Sequence, residues 1–222
     1  MKIGKIITLI LCVALLAVSA TAITVAFFTA EDDDTNTFVF GNVEMTLDEA
    51  KVDKNGVPLK DAEGNVIRTN ESNAYHLVPG GEYTKDPTVT MKKGTSGAYV
   101  RILVTVSGYS EIKTVFGEDF LPENFVKEWD KDIWNYSGAT DNGDNTVTYE
   151  FRYHKIAEAV DSDVVLEPLF KTLVLPGTVT IENVETLAEN VRITIVAHGM
   201  QAEGFENADE AWEGFMKQKN LK

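Results

Sequence analysis

The sequence predicts an all-β protein, an antiparallel β-sandwich with small helical insertions. Three segments alternate apolar and polar residues with a period of two, which is the pattern of strands that bury one face. Clusters of Gly, Pro, Asn and Asp separate these segments. A chain of 222 residues with 44% hydrophobic content can bury one sizeable core. Because no repeat or linker divides it, we expect a single sandwich after the N-terminal region.

The clearest strands are predicted where the alternation is unbroken. They cover residues 99–106, 147–154 and 191–198. In the first of them Val100, Ile102 and Val104 point to one face, while Arg101 and Thr105 point to the other. We therefore expect these three strands to form the centre of the sandwich.

Shorter or interrupted patterns predict the remaining elements. The weaker strands are 37–47, which Gly41 interrupts as a bulge, and 88–91, 169–175 and 178–181. Turn residues at 53–56 and 61–65 bracket a polar segment that we expect to form a surface hairpin, and those at 141–145 predict the turn that opens the strand of Val147. Helical spacing of apolar residues predicts two short helices, 122–134 and one over 208–216 after an Asn207 cap.

The N-terminus has the features of a secretory signal peptide. Lys2 and Lys5 precede an apolar run over residues 6–18, which is too short to span a membrane as a helix. Small residues then offer a signal peptidase a cut near Ala22 or near Ala26. An uncleaved anchor is the alternative, because apolar character resumes over residues 23–28. We expect residues 1–26 to be the signal, 27–40 an N-terminal arm and 41–222 the β-sandwich domain.

Charge and cysteine content exclude several classes of function. The net charge of -15 would repel a nucleic-acid backbone, so nucleic acid is not an expected partner. Cys12, the only cysteine of the chain, lies in the signal. The exported protein therefore has no disulfide and no cysteine-based metal site.

No motif predicts catalysis or a cofactor. The sequence lacks HExxH, GxSxG and both glycine-rich phosphate loops. His76, His154 and His198 are far apart in sequence, and the last two fall on polar strand faces, where ordinary surface histidines are expected. Acidic turns at 32–34, 53–55 and 141–145 carry oxygen ligands that calcium accepts, but none completes an EF-hand, so we interpret them as solvated turns. No catalytic, cofactor-binding or metal-ligating residue is predicted.

The segment behind the signal is the most informative part of the sequence. It reads AFFTAEDDDTNTFVF over residues 26–40, with Phe27 and Phe28 next to the cleavage region and Phe38 and Phe40 in a strand-like end. Burial of each aromatic side chain is worth about 1.5–3 kcal/mol, so they need a partner. A flexible apolar arm can add as a strand to an open sheet edge of a neighbouring copy, or it can fold back on its own domain. We take these four phenylalanines as the anchors of a donor strand. The expected acceptor is a sheet edge beside the strand of Val100 or that of Val191.

Several segments, in this order, resemble the TasA and camelysin (CalY) family of exported Gram-positive bacterial proteins. They are AFFTAEDDDTNTFVFGNVEMTL, LVPGGEYTKDPTVT, GAYVRILVTV, EPLFKTLVLP and VRITIVAHGMQAEGF. The resemblance implies a jelly-roll-like domain and processing by a SipW-type signal peptidase. It also implies fibres of the extracellular biofilm matrix, in which the N-terminal strand of one subunit completes the sheet of the next. An accessory matrix protein is a further expected partner, and the membrane is a partner only through the signal before cleavage.

The expected function is therefore a secreted structural subunit, located in the extracellular matrix or at the cell surface, that polymerises head to tail without a cofactor. Such a contact is heterologous and need not close, so it produces filaments. One alternative is a camelysin-like surface metalloendopeptidase that uses His76, His154 and His198 or acidic substitutes. A second alternative is an adhesin that binds glycans through exposed Trp or Tyr residues, with Trp129, Trp134 and Trp212 as the tryptophan candidates.

Overall fold

The computed structural model describes Phe28–Thr29, Phe38–Phe40, residues 43–118 and residues 120–219. The predicted signal peptide with its helix, both cleavage positions, Phe27 and the acidic turn at 32–34 lie outside the described residues. The described strands are, in chain order, β1 (Phe28–Thr29), β2 (Phe38–Phe40), β3 (Met45–Ala50), β4 (Arg68–Thr69), β5 (Ala74–Tyr75), β6 (Glu82–Thr84), β7 (Thr88–Met91), β8 (Thr95–Ser107), β9 (Val126–Lys127), β10 (Trp134–Asp141), β11 (Thr146–Tyr153), β12 (Ala157–Ala159), β13 (Val164–Val165), β14 (Thr172–Val174) and β15 (Ile193–Gln201).

The largest sheet is built around β8. Its strand order is β10-β11-β8-β15-β2, and β12 also pairs with β8. The three strands predicted with the clearest alternation are thus β8, β11 and β15, adjacent in one sheet. All pairs in this sheet are antiparallel except that of β15 with β2, which is parallel. The antiparallel pairs follow from the long period-two segments, which hydrogen-bond along their whole length.

A second layer covers the apolar face of this sheet. It contains a four-stranded sheet of order β13-β7-β3-β4 and a three-stranded sheet of order β6-β14-β9. Alternate residues of β8 form the centre of the core: Val100, Ile102, Val104 and Val106 are each at most 2% exposed. The layers approach closely at Gly199, where an added Cβ would lie 2.8 Å from Val43 Cγ1. The predicted all-β sandwich is therefore confirmed.

The described part of the chain has three short α-helices: α1 (Tyr109–Phe116) and α2 (Ile181–Asn190), which lie between strands, and α3 (Ala208–Lys219), which follows β15. The predicted helix behind Asn207 is confirmed, because the Asn207 side chain accepts a hydrogen bond from the Glu210 N–H at 3.0 Å. The predicted strand at 178–181 is wrong. Thr180 instead caps α2 by accepting the Asn183 N–H at 3.2 Å, which directs the chain into a helix.

The predicted helix over 122–134 is also wrong. That segment begins with a single 3₁₀ turn (Pro122–Asn124), continues through β9 and ends where β10 starts at Trp134. Its apolar residues have helical spacing but pack on different partners. Phe125 stacks on Phe120, and Trp129 meets Phe151 edge to face. The spacing therefore reflects separate core contacts rather than one helix face.

The interrupted strand predicted at 37–47 is divided between two sheets. Its first part is β2, at the edge of the largest sheet, and its second part belongs to β3 in the other layer. The predicted strands at 88–91 and 169–175 correspond to β7 and β14, and the turn at 141–145 connects β10 to β11. The segment at 53–65 forms small surface hairpins with isolated bridges between Val52 and Pro58 and between Lys60 and Val66.

The burial pattern predicts which substitutions destabilise the sandwich. Ile102→Ala deletes methylene and methyl groups at the fully buried centre of β8 and should lower the free energy of unfolding by about 2–5 kcal/mol. Val165→Ala, at a position 66% exposed, should change it by less than about 0.5 kcal/mol. Urea unfolding followed by circular dichroism measures both. Equal losses in the two variants would contradict this assignment of the core.

Candidate strand-acceptor site

Three of the four predicted anchor residues fall in described strands, and both strands lie on sheet edges. Phe28 belongs to β1, where it pairs with Tyr75 of β5. Phe38 and Phe40 belong to β2, where they pair in parallel register with His198 and Met200 of β15. Within the single chain, both pairings are made to the molecule's own body. The N-terminal arm thus touches the body along two separate strand edges.

Apart from β2, which belongs to the arm, β15 is the edge strand on this side of the largest sheet. On its inner side β15 pairs with β8 over its whole length, from Ile193 to Gln201. On its outer side, among the described residues, it pairs with β2 over His198–Met200. A nine-residue strand with hydrogen-bonding groups along one side is a template for a further strand. Of the two strands named as neighbours of the acceptor, β8 is central and β15 is the one at the edge.

A buried arginine anchors α3 over the outer face of β8 and β15. The Arg101 side chain is almost fully buried, and its guanidinium carbon lies 4.3 Å from the ring centroid of Trp212 and 5.0 Å from that of Phe215. Its Nε donates a hydrogen bond to His198 Nδ1 at 3.2 Å. Nη1 pairs with Glu150 at 3.3 Å. Burial lowers the pKa of Arg101, partly offset by the charge of Glu150.

A second arginine continues this network to the surface. Arg152 Nε pairs with Glu150 at 2.6 Å, and its Nη1 pairs with Asp209 in the first turn of α3. Burial acts to lower the pKa of Arg152, but the hydrogen bonds to Glu150 and Asp209 outweigh it and raise that pKa overall. The charges of β8, β11 and α3 are therefore linked through two carboxylates. The helix covers β15 next to the residues that pair with β2.

The expectation that His198 is a surface histidine is wrong. His198 lies on the polar strand face as predicted, but α3 covers that face and leaves its side chain 3% exposed. Its ring stacks on Phe215 at a centroid distance of 4.7 Å. No signal in the strand itself identifies this burial, because the covering residues come from the C-terminal helix.

The other predicted histidines and acidic turns do not converge on a metal centre. His76 and His154 are exposed. Among the residues that the structure describes, no group of three or more His, Cys, Asp or Glu side chains could hold a metal ion. The Asp53 carboxylate accepts the N–H groups of Asn55 and Val57, and that of Asp141 accepts the Gly143 N–H, each at 2.9 Å. These carboxylates thus close their own turns.

The tryptophan side chains are wholly or partly buried by packing contacts. Trp134 and Trp212 are buried in the structure, and Trp129 is half-buried. Trp134 Nε1 donates to the Glu167 carbonyl at 2.9 Å, and Trp129 Nε1 donates to the Trp134 carbonyl at 2.7 Å. Tyr136, 38% exposed, meets Trp129 edge to face. The aromatic surface available to a glycan around the tryptophans is limited to Trp129 and Tyr136.

β5, the second strand that pairs with the N-terminal arm, lies next to an apolar pocket. Tyr75 of β5 is fully buried, and its hydroxyl donates to the Thr84 carbonyl at 3.0 Å. Burial, with the nearby charges of Glu49 and Asp86, raises the pKa of Tyr75. The pocket has a volume of about 70 Å³. Its lining is apolar and includes Leu77 behind β5, Ile112 and Phe116 of α1, Leu187 of α2, and Val191.

Comparison of the chain with protein-family models, curated proteins and solved structures gave no significant match. In the described part of the chain, no helix has both the length and the apolar composition needed to cross a membrane.

The Arg101 network predicts how α3 is held on the sheet. Trp212→Ala removes a buried indole, one of the two aromatic rings that contact the Arg101 guanidinium, and should lower the free energy of unfolding by about 3–5 kcal/mol. Asp209→Ala removes only an ion pair whose carboxylate is 83% exposed, and should cost less than about 1 kcal/mol. Urea unfolding measures the stability of both variants, and amide hydrogen exchange of α3 and β15 locates the change. A larger loss for Asp209→Ala would show that the surface ion pair, not Arg101, anchors the helix.

Proposed function

We propose that this chain is a secreted structural subunit of an extracellular fibre, which polymerises head to tail when the N-terminal arm of one copy pairs with the sheet edge of the next. The observation that carries the proposal is the position of β2. Among the strands that the structure describes, it is the outermost of the largest sheet and the one that runs parallel to its neighbour, and it comes from the N-terminal arm. A strand donated by a second copy would occupy the same register on β15.

The geometry of the arm supports exchange between copies. The arm contributes two residues to β1 and three to β2, so each ladder contains few main-chain hydrogen bonds. Replacing its own arm by that of a neighbour reproduces the same hydrogen bonds and changes only the molecule that supplies them. Because donor and acceptor are different surfaces, the contact repeats without closing.

The apolar pocket beside β5 provides a second point of attachment. Its wall includes Leu77, which follows the strand that pairs with Phe28. An aromatic anchor of a donated arm, Phe27 or Phe28, would gain about 1.5–3 kcal/mol from full burial there. The acidic surface keeps free subunits soluble, since like charges repel, so attachment depends on these specific contacts.

The resemblance to the TasA and camelysin family supports the same function and completes the proposal. The subunit would be processed by a SipW-type signal peptidase and deposited in the biofilm matrix or at the cell surface. A second copy of the chain would be its main partner, with an accessory matrix protein as a further one.

Removal of the arm tests polymerisation directly. The mature protein lacking residues 26–34 should remain a folded monomer and form no fibres, because β1 and the start of the arm are missing. Electron microscopy and sedimentation velocity, with circular dichroism as the folding control, give the result. Normal fibres from the truncated protein would refute the donor assignment.

A proline substitution tests the hydrogen bonds of β2 separately from its side chains. Val39→Pro fixes φ and removes the N–H at the residue that pairs with Gly199, and it should slow fibre growth at least about tenfold. Val39→Ala keeps the N–H while also shortening the side chain, and should retain most of the growth rate. Light scattering and electron microscopy follow both variants. Equal growth rates would show that the β2 ladder does not join subunits.

Cysteine pairing distinguishes exchange between copies from pairing within one copy. The exported chain has no cysteine, so Thr29→Cys and Ala74→Cys can each be introduced singly at paired positions of β1 and β5. Oxidation of a mixture of the two single variants should give disulfide-linked heterodimers if arms are exchanged. A disulfide that forms only in the double variant, and within one chain, would show that the arm stays on its own body.

A further inference from the structure

Three polar side chains are buried together beneath β3, beside a small cavity that Ile193 and Ile195 of β15 also line. Glu49 comes from β3, Asn73 directly precedes β5, and Lys85 lies between β6 and β7. Their exposed fractions are 8%, 4% and 3%. Lys85 Nζ donates to Glu49 Oε2 at 2.7 Å, and Asn73 Nδ2 donates to Glu49 Oε1 at 2.7 Å. A single buried carboxylate therefore holds a primary amine and a carboxamide at its two oxygens.

The carboxamide of Asn73 is fixed on both sides. Its Nδ2 also donates to the Ala50 carbonyl at 2.9 Å, and its Oδ1 accepts the Val52 N–H at 3.0 Å. The Val52 N–H polarises the Asn73 carbonyl and is placed to stabilise negative charge that develops on Oδ1. The Asn73 carboxamide and the Lys85 amine are thus held at the two oxygens of the same carboxylate.

Burial changes the chemistry of this cluster. The Lys85 and Glu49 side chains are buried and in direct contact at 2.7 Å, so a proton can pass between Nζ and the carboxylate without an intervening water molecule. A neutral amine is nucleophilic, and three side chains fixed by their hydrogen bonds supply the proximity that favours an intramolecular reaction. A cavity of about 20 Å³ lined by Glu49, Lys85 and the exposed Asn70 has room for one small leaving molecule.

We propose that Lys85 and Asn73 become joined by an intramolecular isopeptide bond, with Glu49 as the general acid and base. Glu49 first takes a proton from the Lys85 ammonium, and Nζ then attacks Cγ of Asn73 to form the new C–N bond, with the charge on Oδ1 facing the Val52 N–H. Glu49 passes its proton to Nδ2 and takes a second proton from Nζ. The Cγ–Nδ2 bond breaks, the carbonyl reforms and ammonia leaves.

The balance of this reaction is complete without a cofactor. Of the three protons on the Lys85 ammonium, one stays on the new amide, one leaves in ammonia and one remains on Glu49 for release to solvent. No oxidant or reductant takes part. The bond ties the segment before β5 to the turn between β6 and β7 in a protein whose exported part has no cysteine. The proposal is independent of fibre formation.

The mass of the folded, purified protein tests the bond. It should be lower than the mass calculated from the sequence by one ammonia molecule. Trypsin should fail to cleave after the modified Lys85 and should release residues 69–92 in place of 69–85. After cleavage at Glu82 by Glu-C protease, which separates the two residues along the chain, the fragments containing Asn73 and Lys85 should stay joined.

Matched variants separate the proposed chemistry from other losses of ammonia. Glu49→Gln removes the proton carrier and should restore the calculated mass and the cleavage after Lys85, whereas the exposed Glu63→Gln should keep the bond. A succinimide at an asparagine also loses ammonia but leaves the Glu-C fragments separate. Release of an unmodified 69–85 peptide from the folded wild-type protein would overturn the proposal, even if Glu49→Gln fails to fold.

Discussion

The outer edge of β15 is the constraint on which the arrangement of this molecule depends. β8 fixes β15 through a continuous antiparallel ladder, and the apolar face of both strands must pack on the second layer. That packing fixes which side of β15 faces away from β8. Main-chain groups that are shielded from water need hydrogen-bond partners, and an edge strand meets that need by accepting another strand. The short parallel strand β2 supplies the partners over His198–Met200.

On the opposite face of β8 and β15, a charged side chain, Arg101, is buried under α3. Arg101 occupies an outward position in an alternating strand, where water would normally solvate it. The helix α3 excludes that water and replaces it with two aromatic faces, a histidine nitrogen and a carboxylate. A buried guanidinium is tolerated only when its donors and its charge are matched in this way. His198 of β15 thus pairs with β2 through its main chain and packs against α3 through its side chain.

The sequence predicted the parts of the fold in which one local pattern determines the outcome. Alternation in β8, β11 and β15 reflects a buried face that extends along each strand, so it could be recognised without any partner. The segment after Pro122 has the apolar spacing of a helix but does not form one, because Phe125 and Trp129 contact different parts of the core. At Thr180 the side-chain cap and the following helix-forming residues outweighed a β-branched pattern. The burial of His198 and the cluster of Glu49, Asn73 and Lys85 could not be predicted, since they are assembled from residues distant in sequence.

β15 and β5, the two strands that pair with the arm, differ in how they are held in the molecule. β15 is hydrogen-bonded to β8 along its whole length, so its position does not depend on the arm. β5 is only two residues long and pairs with β1, so its position depends on side chains: its own buried Tyr75, and Asn73, whose side chain is hydrogen-bonded just before it. Whatever fixes Asn73 to the neighbouring strands therefore also fixes β5, the shorter of the two strands that pair with the arm.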